Sequence, residues 1–134
     1  MRFGLLAAAF LLTLFCFMTP ARAANPDHIT QLLQTRSCIG CDLQGADLKG
    51  ADLRGVNLSQ ANLNKADLSN ADLMAVNLKD ATLDSANLTD ANLLVVNMTG
   101  ASLKQANLSN VSLNSVTLCN TIAPDGKLSK RDCA

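Results

Sequence analysis

A four-sided β-solenoid with a short N-terminal capping helix is the fold this sequence predicts, and three observations carry that expectation. Between Cys41 and Asn120 a Leu returns every fifth residue, from Leu43 to Leu118, with Met98 standing in once, so that sixteen units run in phase. Two residues before each of these centres lies Ala, Val or Cys, which makes all thirty-two such positions apolar. Finally, Val replaces Ala at Val56, Val76, Val96 and Val116, spaced by twenty, with Val111 the only stray. A helix of period 3.6 cannot hold a five-residue repeat on one face, and a strand of period 2 would send alternate Leu residues to opposite sides. A chain that turns a corner every five residues satisfies the pattern, each side pointing its central Leu and preceding Ala inward. The second period of twenty then sets four sides per turn. The array divides into four coils, 41–60, 61–80, 81–100 and 101–120, which at about 4.8 Å per rise make a rod roughly 20 Å long.

In chain order, residues 1–23 read as a secretory signal. Arg2 gives the basic start, Phe3 to Met18 the apolar stretch, and Pro20 precedes the small-x-small site Ala21-Arg22-Ala23. Sixteen residues, almost all apolar, are short for a spanning helix, which needs about 20. The expected product is therefore cleaved and exported, with no membrane attachment afterwards. Residues 24–40 form the expected N-terminal cap. Asn25-Pro26-Asp27 can open a helix over 26–37, with Ile29, Leu32 and Leu33 on one face as a lid for the first coil. Residues 41–120 are the array. In the C-terminal tail, 121–134, Pro124-Asp125-Gly126 signals a tight turn after which Leu128 could return over the last coil.

Here the residues reach a known family. Runs such as Ala46-Asp47-Leu48-Lys49-Gly50 and Ala51-Asp52-Leu53-Arg54-Gly55 resemble pentapeptide repeat proteins. The resemblance implies a right-handed quadrilateral β-helix, although this chain never uses the Phe that many relatives place at central positions. Both ends also look similar to lumenal members of cyanobacteria and chloroplasts, which makes the thylakoid lumen or a bacterial periplasm the expected address. Family functions are diverse, so the resemblance by itself assigns no activity.

Composition narrows the function classes. Eleven Lys and Arg balance eleven Asp, with no Glu, which gives no basic footprint for nucleic acid. There is no Trp or Tyr, and all four Phe precede residue 18, so a mature chain offers no ring for stacking or cation–π contact. A DNA-mimicking, gyrase-protecting role, known in the family, needs a strongly acidic face, whereas the array carries eight Asp against five Lys and Arg.

Four cysteines remain after Cys16 leaves with the signal. Cys41 lies in the first coil and Cys119 in the fourth, about 14 Å apart over three rises, whereas a disulfide needs Cα atoms within roughly 7 Å. Cys38–Cys41 and Cys119–Cys133 are then the pairing a monomer permits, and a zinc site using all four fails on the same distance. A thiol–disulfide redox role for Cys38 and Cys41 is the sharper alternative, though no βαβ pattern surrounds them. No metal, cofactor or catalytic residue is expected. Asp47 over Asp67 and Asp52 over Asp72 read as a solvated surface, and His28 as a solvated polar residue of the cap. Stacked amides at Asn57, Asn77 and Asn97, and at Asn87 and Asn107, are expected to hydrogen-bond from coil to coil.

One outward feature is not solubility. Of the outward positions only Met74, Ala75, Leu94 and Val95 (with Cys119 set aside) carry apolar side chains, and all four fall on the third side in adjacent coils. An apolar stripe with a polar rim, Arg54 below and Asn114 above, predicts a contact surface for a partner protein or for a second copy. The expected function is thus a non-enzymatic scaffold or interaction module outside the cytoplasm.

Overall fold

The computed structural model describes residues 24–134. The expected signal, residues 1–23, lies outside the described residues, and no helix among those described is long and apolar enough to cross a membrane.

Each five-residue unit is one short extended side followed by one corner. At the corner the N–H three residues past the central Leu donates back to its carbonyl, as Ala46 does to Leu43 at 3.0 Å and Ala66 to Leu63 at 3.0 Å. The backbone turns by entering the left-handed region at the last residue of the unit. Gly50 does so at φ 66°, and Asn70 at φ 57°. Asn and Asp tolerate that region and Gly prefers it, which explains the composition of the last position.

Where Asp or Asn precedes the central residue, it locks the corner from outside. The Oδ1 of Asp47, Asn57, Asn77 and Asn97 accepts the N–H two residues on, from Lys49, Ser59, Lys79 and Thr99 respectively. This corrects the expected amide ladder: the oxygens of Asn57, Asn77 and Asn97 close their own corners, and no bond runs from one of these amides to the next. Asn107 likewise accepts from Ser109 and not from Asn87. The geometry of an Asx turn, with donor and acceptor two residues apart, outcompetes a neighbour one coil away. Coil-to-coil side-chain bonds do form elsewhere, among them Asn92 Nδ2 to Asp72 Oδ1 at 2.9 Å.

The coils are joined by parallel single-residue bridges between positions twenty apart, among them Asp47–Asp67, Asn57–Asn77 and Asn62–Thr82. In each, one residue both donates and accepts: Asp67 N–H donates to Ala46 at 2.9 Å, and its carbonyl accepts from Leu48 at 2.8 Å. The interior is a column of Leu lined by Ala and Val, in which Leu58, Leu63, Leu68, Leu73, Leu78 and Leu83 are wholly buried. Four inward positions near the ends are only partly buried: Ala51, Leu108, Val111 and Leu113. Coil geometry also runs one unit beyond the array at each end. Ser37 bridges Asn57 with Cys38 as the buried central residue, and Ile122 bridges Ser102.

Helix α1 spans Pro26–Thr35. Asn25 caps it, its Oδ1 accepting from Asp27 N–H at 2.9 Å. It stops two residues short of the expected 37 because Arg36 turns left-handed at φ 54°, which releases Ser37 to the solenoid. Leu32 is 1% exposed and seals the first coil, and Ile29 packs beside it. Leu33 is 61% exposed and takes no part in the lid, since a neighbour in a helix points about 100° away. His28 is not the free polar residue the sequence implied: its Nδ1 accepts from Asp42 N–H at 2.9 Å and ties the helix to the first coil.

At the other end, β1 (Thr121–Ile122) pairs antiparallel with β2 (Leu128–Ser129), in the register Thr121 with Ser129 and Ile122 with Leu128. Leu128 does not cover the last coil and is 56% exposed: β2 pairs with β1, which itself stacks on Ser102 as a further level of the first side. Polar groups cap that end instead. Arg131 Nη2 donates to the carbonyls of Leu113 and Val116 at 2.6 and 2.5 Å, and Asp132 Oδ2 accepts from Leu118 N–H at 3.2 Å. The disulfide Cys119–Cys133 holds this tail in place.

Candidate interaction surface

The third side of the solenoid comprises residues 51–55, 71–75, 91–95 and 111–115. On its second and third levels the corners carry Met74, Ala75, Leu94 and Val95. The Ala75 N–H donates to the Leu94 carbonyl at 2.9 Å, which fixes the two corners one above the other. Met74 is half-buried, whereas Leu94 is 48% and Val95 64% exposed. Apart from these two, the exposed large hydrophobic residues among those described are Leu33, Ile39 and Leu128, all at the ends of the rod.

Val95 adopts φ 60°. It is the one β-branched residue with positive φ among the described residues, in a position otherwise filled by Gly, Ala or polar side chains. Its branched Cβ crowds the carbonyl there, at a cost of about 1–2 kcal/mol. Nothing inside the solenoid recovers that cost, since the side chain faces outward.

Below the stripe lies a charged rim. Arg54 donates through Nε and Nη2 to both oxygens of Asp52, at 2.9 and 2.8 Å, and its Nε stands 3.6 Å from Asp72. The side-chain bonds from Arg54, followed by its backbone N–H, hold the Asp52 carboxyl at about 2, well below the usual range. The same pairing raises the Arg54 guanidinium. Asp52 is therefore held as a carboxylate by its pairing with Arg54. On the second side Asp67, stacked over Asp47, is lowered first by the Ser69 hydroxyl and then by its N–H.

Above the stripe the stack opens. On the lower levels of this side Leu53 and Leu73 donate their N–H to Asp72 and Asn92 at 2.9 Å each, and Asp72 and Asn92 donate back to Ala51 and Ala71. One level up these bonds are missing. Among the described residues Ser112 forms no bridge with Asn92, and the Leu93 N–H and Ala91 carbonyl have no hydrogen-bond partner. Val95 N–H reaches the Ser115 hydroxyl at 3.3 Å instead of the next backbone carbonyl. Ser115 is also the one corner between Gly40 and Asn120 whose last residue lacks a positive φ. The result is a cleft of about 240 Å³ bounded by Ala91, Leu93, Leu94, Asn110, Ser112 and Ser115. It lies at the level where Val111 stands in place of the Ala of Ala51, Ala71 and Ala91, although Val alone does not open a level, since Val56, Val76, Val96 and Val116 stack on the fourth side with their bridges intact.

Other places offer less. The Cys38–Cys41 disulfide is closed, with the residues 0% and 3% exposed, out of reach of an attacking thiolate. A hollow of about 430 Å³ is lined by Asp84, Lys104, Gln105 and the Pro124–Gly126 turn, and the Asp84 carboxylate is occupied by the Ser102 hydroxyl and Lys104 N–H. Among the described residues no three His, Cys or Asp side chains converge as a metal site. The sequence located the stripe but not the cleft; the lone signal for the latter was the out-of-phase Val111.

A family model for pentapeptide repeats matches residues 41–80 and 77–114, in eight copies. Among solved structures the chain is similar to HetL, a pentapeptide repeat protein involved in heterocyst differentiation regulation from the cyanobacterium Nostoc sp. strain PCC 7120. Identity is 35% over 69% of this chain, with a TM-score of 0.68. The chain spans only 43% of the length of HetL. A pentapeptide repeat protein from the Arabidopsis thaliana thylakoid lumen is 26% identical over 86% of this chain and 79% of its own, with a TM-score of 0.43. No curated protein matches by sequence.

Proposed function

The chain belongs to the pentapeptide repeat family, whose fold is a right-handed quadrilateral β-helix, and on that premise we propose that it is a non-enzymatic interaction module outside the cytoplasm. Its docking face is the third side, through Met74, Ala75, Leu94 and Val95. The observation that carries this reading is Val95: an exposed β-branched side chain kept in a left-handed corner, beside an exposed Leu, on a wall that is polar elsewhere. Strain retained where it contributes nothing to the core points to a use at the surface. Two closed disulfides, together with the signal-like residues 1–23, support an oxidising compartment such as a periplasm or the thylakoid lumen.

Photo-crosslinking from a probe at position 94 in the producing cell, read by mass spectrometry, tests the proposal. A discrete heterologous product identifies an adaptor and its partner, and a product with itself identifies an oligomer. With the probe moved to position 75, Leu94→Asp should abolish either product and leave the thermal melt nearly unchanged. Undiminished association in that variant would sink the docking face.

A further inference from the structure

We propose that the Cys119–Cys133 disulfide is a redox latch, opened by a dithiol reductant, that controls the docking face through the last coil; the inference rests on that face as the working surface. The two disulfides among the described residues stand in opposite surroundings. Cys38–Cys41 is sealed beneath α1, whose His28 carbonyl lies 3.3 Å from Cys38 Sγ, and its residues are 0% and 3% exposed. Cys119 is half-buried and Cys133 exposed. Exchange requires a thiolate to reach one sulfur of the bond, so a reductant meets the C-terminal disulfide first. The thiolate attacks the Cys133 sulfur and forms a mixed disulfide, while the S–S electron pair leaves on Cys119, which takes up a proton. The reductant's second thiolate then attacks the reductant's own sulfur in that mixed disulfide and releases Cys133, which is protonated in turn. Two electrons pass to the protein, and the reductant leaves as a disulfide.

The other ties of the tail to the solenoid are few. β2 pairs with β1 over two residues, a pairing that is marginal by itself. Beyond it Arg131 donates to the Leu113 and Val116 carbonyls, and Asp132 accepts from Leu118 N–H. These bonds hold the last coil, where Leu113 is only partly buried and forms the centre of the third side. Two residues on, the Ser115 hydroxyl accepts Val95 N–H at 3.3 Å. Bonded groups thus run without a break from Cys133 through Arg131 and Leu113 to the Val95 corner, the kind of contiguous chain along which coupling is carried. Reduction removes the tether, frees Arg131 from Leu113, and loosens the level whose Ser115 steadies the apolar stripe. The oxidised protein docks and the reduced one does not.

Dithiothreitol serves as the dithiol probe. Purified protein is titrated with it, the thiols formed are alkylated and located by mass spectrometry, and amide hydrogen exchange is read at Leu118 and Leu73. Cys119 and Cys133 should become alkylated at a dithiothreitol concentration at least tenfold below that needed for Cys38 and Cys41. Leu118 exchange should then quicken at least tenfold, with Leu73 exchange unchanged. In the producing cell, crosslink yield from a benzophenone probe at position 75 is compared between the wild type and the permanently open Cys119→Ser/Cys133→Ser. A yield at least fivefold lower in the open form is expected. Arg131→Ala, which keeps the disulfide and cuts its link to Leu113, should lower the yield alike and decides the comparison if the serine pair does not fold. Earlier reduction of Cys38–Cys41, or Leu118 exchange unmoved by reduction, would overturn the latch. Undiminished yield from a folded open form would overturn its control while the docking face stands. Absence of any product from the wild type would remove the docking face, and this inference with it.

Discussion

Asp52 and Val95 show how single residues on the third side depart from the repeat average, one by gaining a partner and one by bearing strain. The folded Asp52 carboxyl titrates at about 2, held down by Arg54, against about 3.9 in an unfolded chain. Its contribution to stability is therefore complete above about pH 4 and is lost as pH falls towards 2. Carboxyl titration followed by NMR should show Arg54→Ala returning Asp52 towards the ordinary value, and the variant should lose the part of the acid-dependent destabilisation assigned to this pair. Both side chains are exposed, so the pair fixes the rim's charge pattern more than it holds the fold. Val95 works in the opposite sense. Val95→Asn installs the residue type that occupies the same left-handed corner at Asn70 and Asn110. It should stabilise the protein by about 1 kcal/mol, seen as a rise of a few degrees in Tm, while weakening crosslinking from position 75. No gain in Tm would remove the claim that strain is stored at this corner.

The two ends are elements of different character. At the N-terminus the lid is apolar: Leu32 of α1 closes the first coil, and His28 and Asn25 fasten the helix to the backbone of Asp42. At the C-terminus the lid is polar and covalent. Arg131 and Asp132 satisfy the last carbonyls and N–H, and Cys133 bonds to Cys119 across a fifteen-residue segment. Chain-entropy arguments put such a closure at about 3 kcal/mol. Cys133→Ser should therefore lower stability by that order in a denaturant titration and leave residues 121–134 open to protease, with the lower coils still protected. A tail as resistant as in the wild type would show that the polar capping bonds suffice. The polar lid also leaves Leu108, Val111 and Leu113 only partly buried, so the last coil is the element with least to hold it.

Over the whole molecule, stability is a sum of coils that touch only their neighbours. The middle levels are closed on all four sides and the top one is open on the third. Leu73→Ala, at a wholly buried position, should cost about 2–5 kcal/mol, and Leu113→Ala, at a partly buried one, less than about 2 kcal/mol. Equal losses in urea melts would contradict the picture of a loosened final coil. The rod thus combines a rigid wall with one local opening, and the exposed apolar corners sit against that opening. That juxtaposition is what the docking face proposed above rests on.

How much of this was written in the sequence depends on the range of the interaction. The five-residue period and the twenty-residue Val period determined the coil count, the inward columns and the position of the apolar stripe, because each is a property of residues repeated in phase. The cysteine positions determined the pairing, since a regular rise fixes which ends can meet. Only the tertiary structure decided the rest. Whether Asn57 bonds its neighbour or its own corner depends on angles no period encodes, and Leu33 and Leu128 were turned outward by where their elements docked. The loss of pairing between Asn92 and Ser112 falls in the last coil, at a level that neither period marks. A sequence shows that Val111 is out of phase; which backbone bonds the third side forms at that level is decided only when whole coils pack on one another.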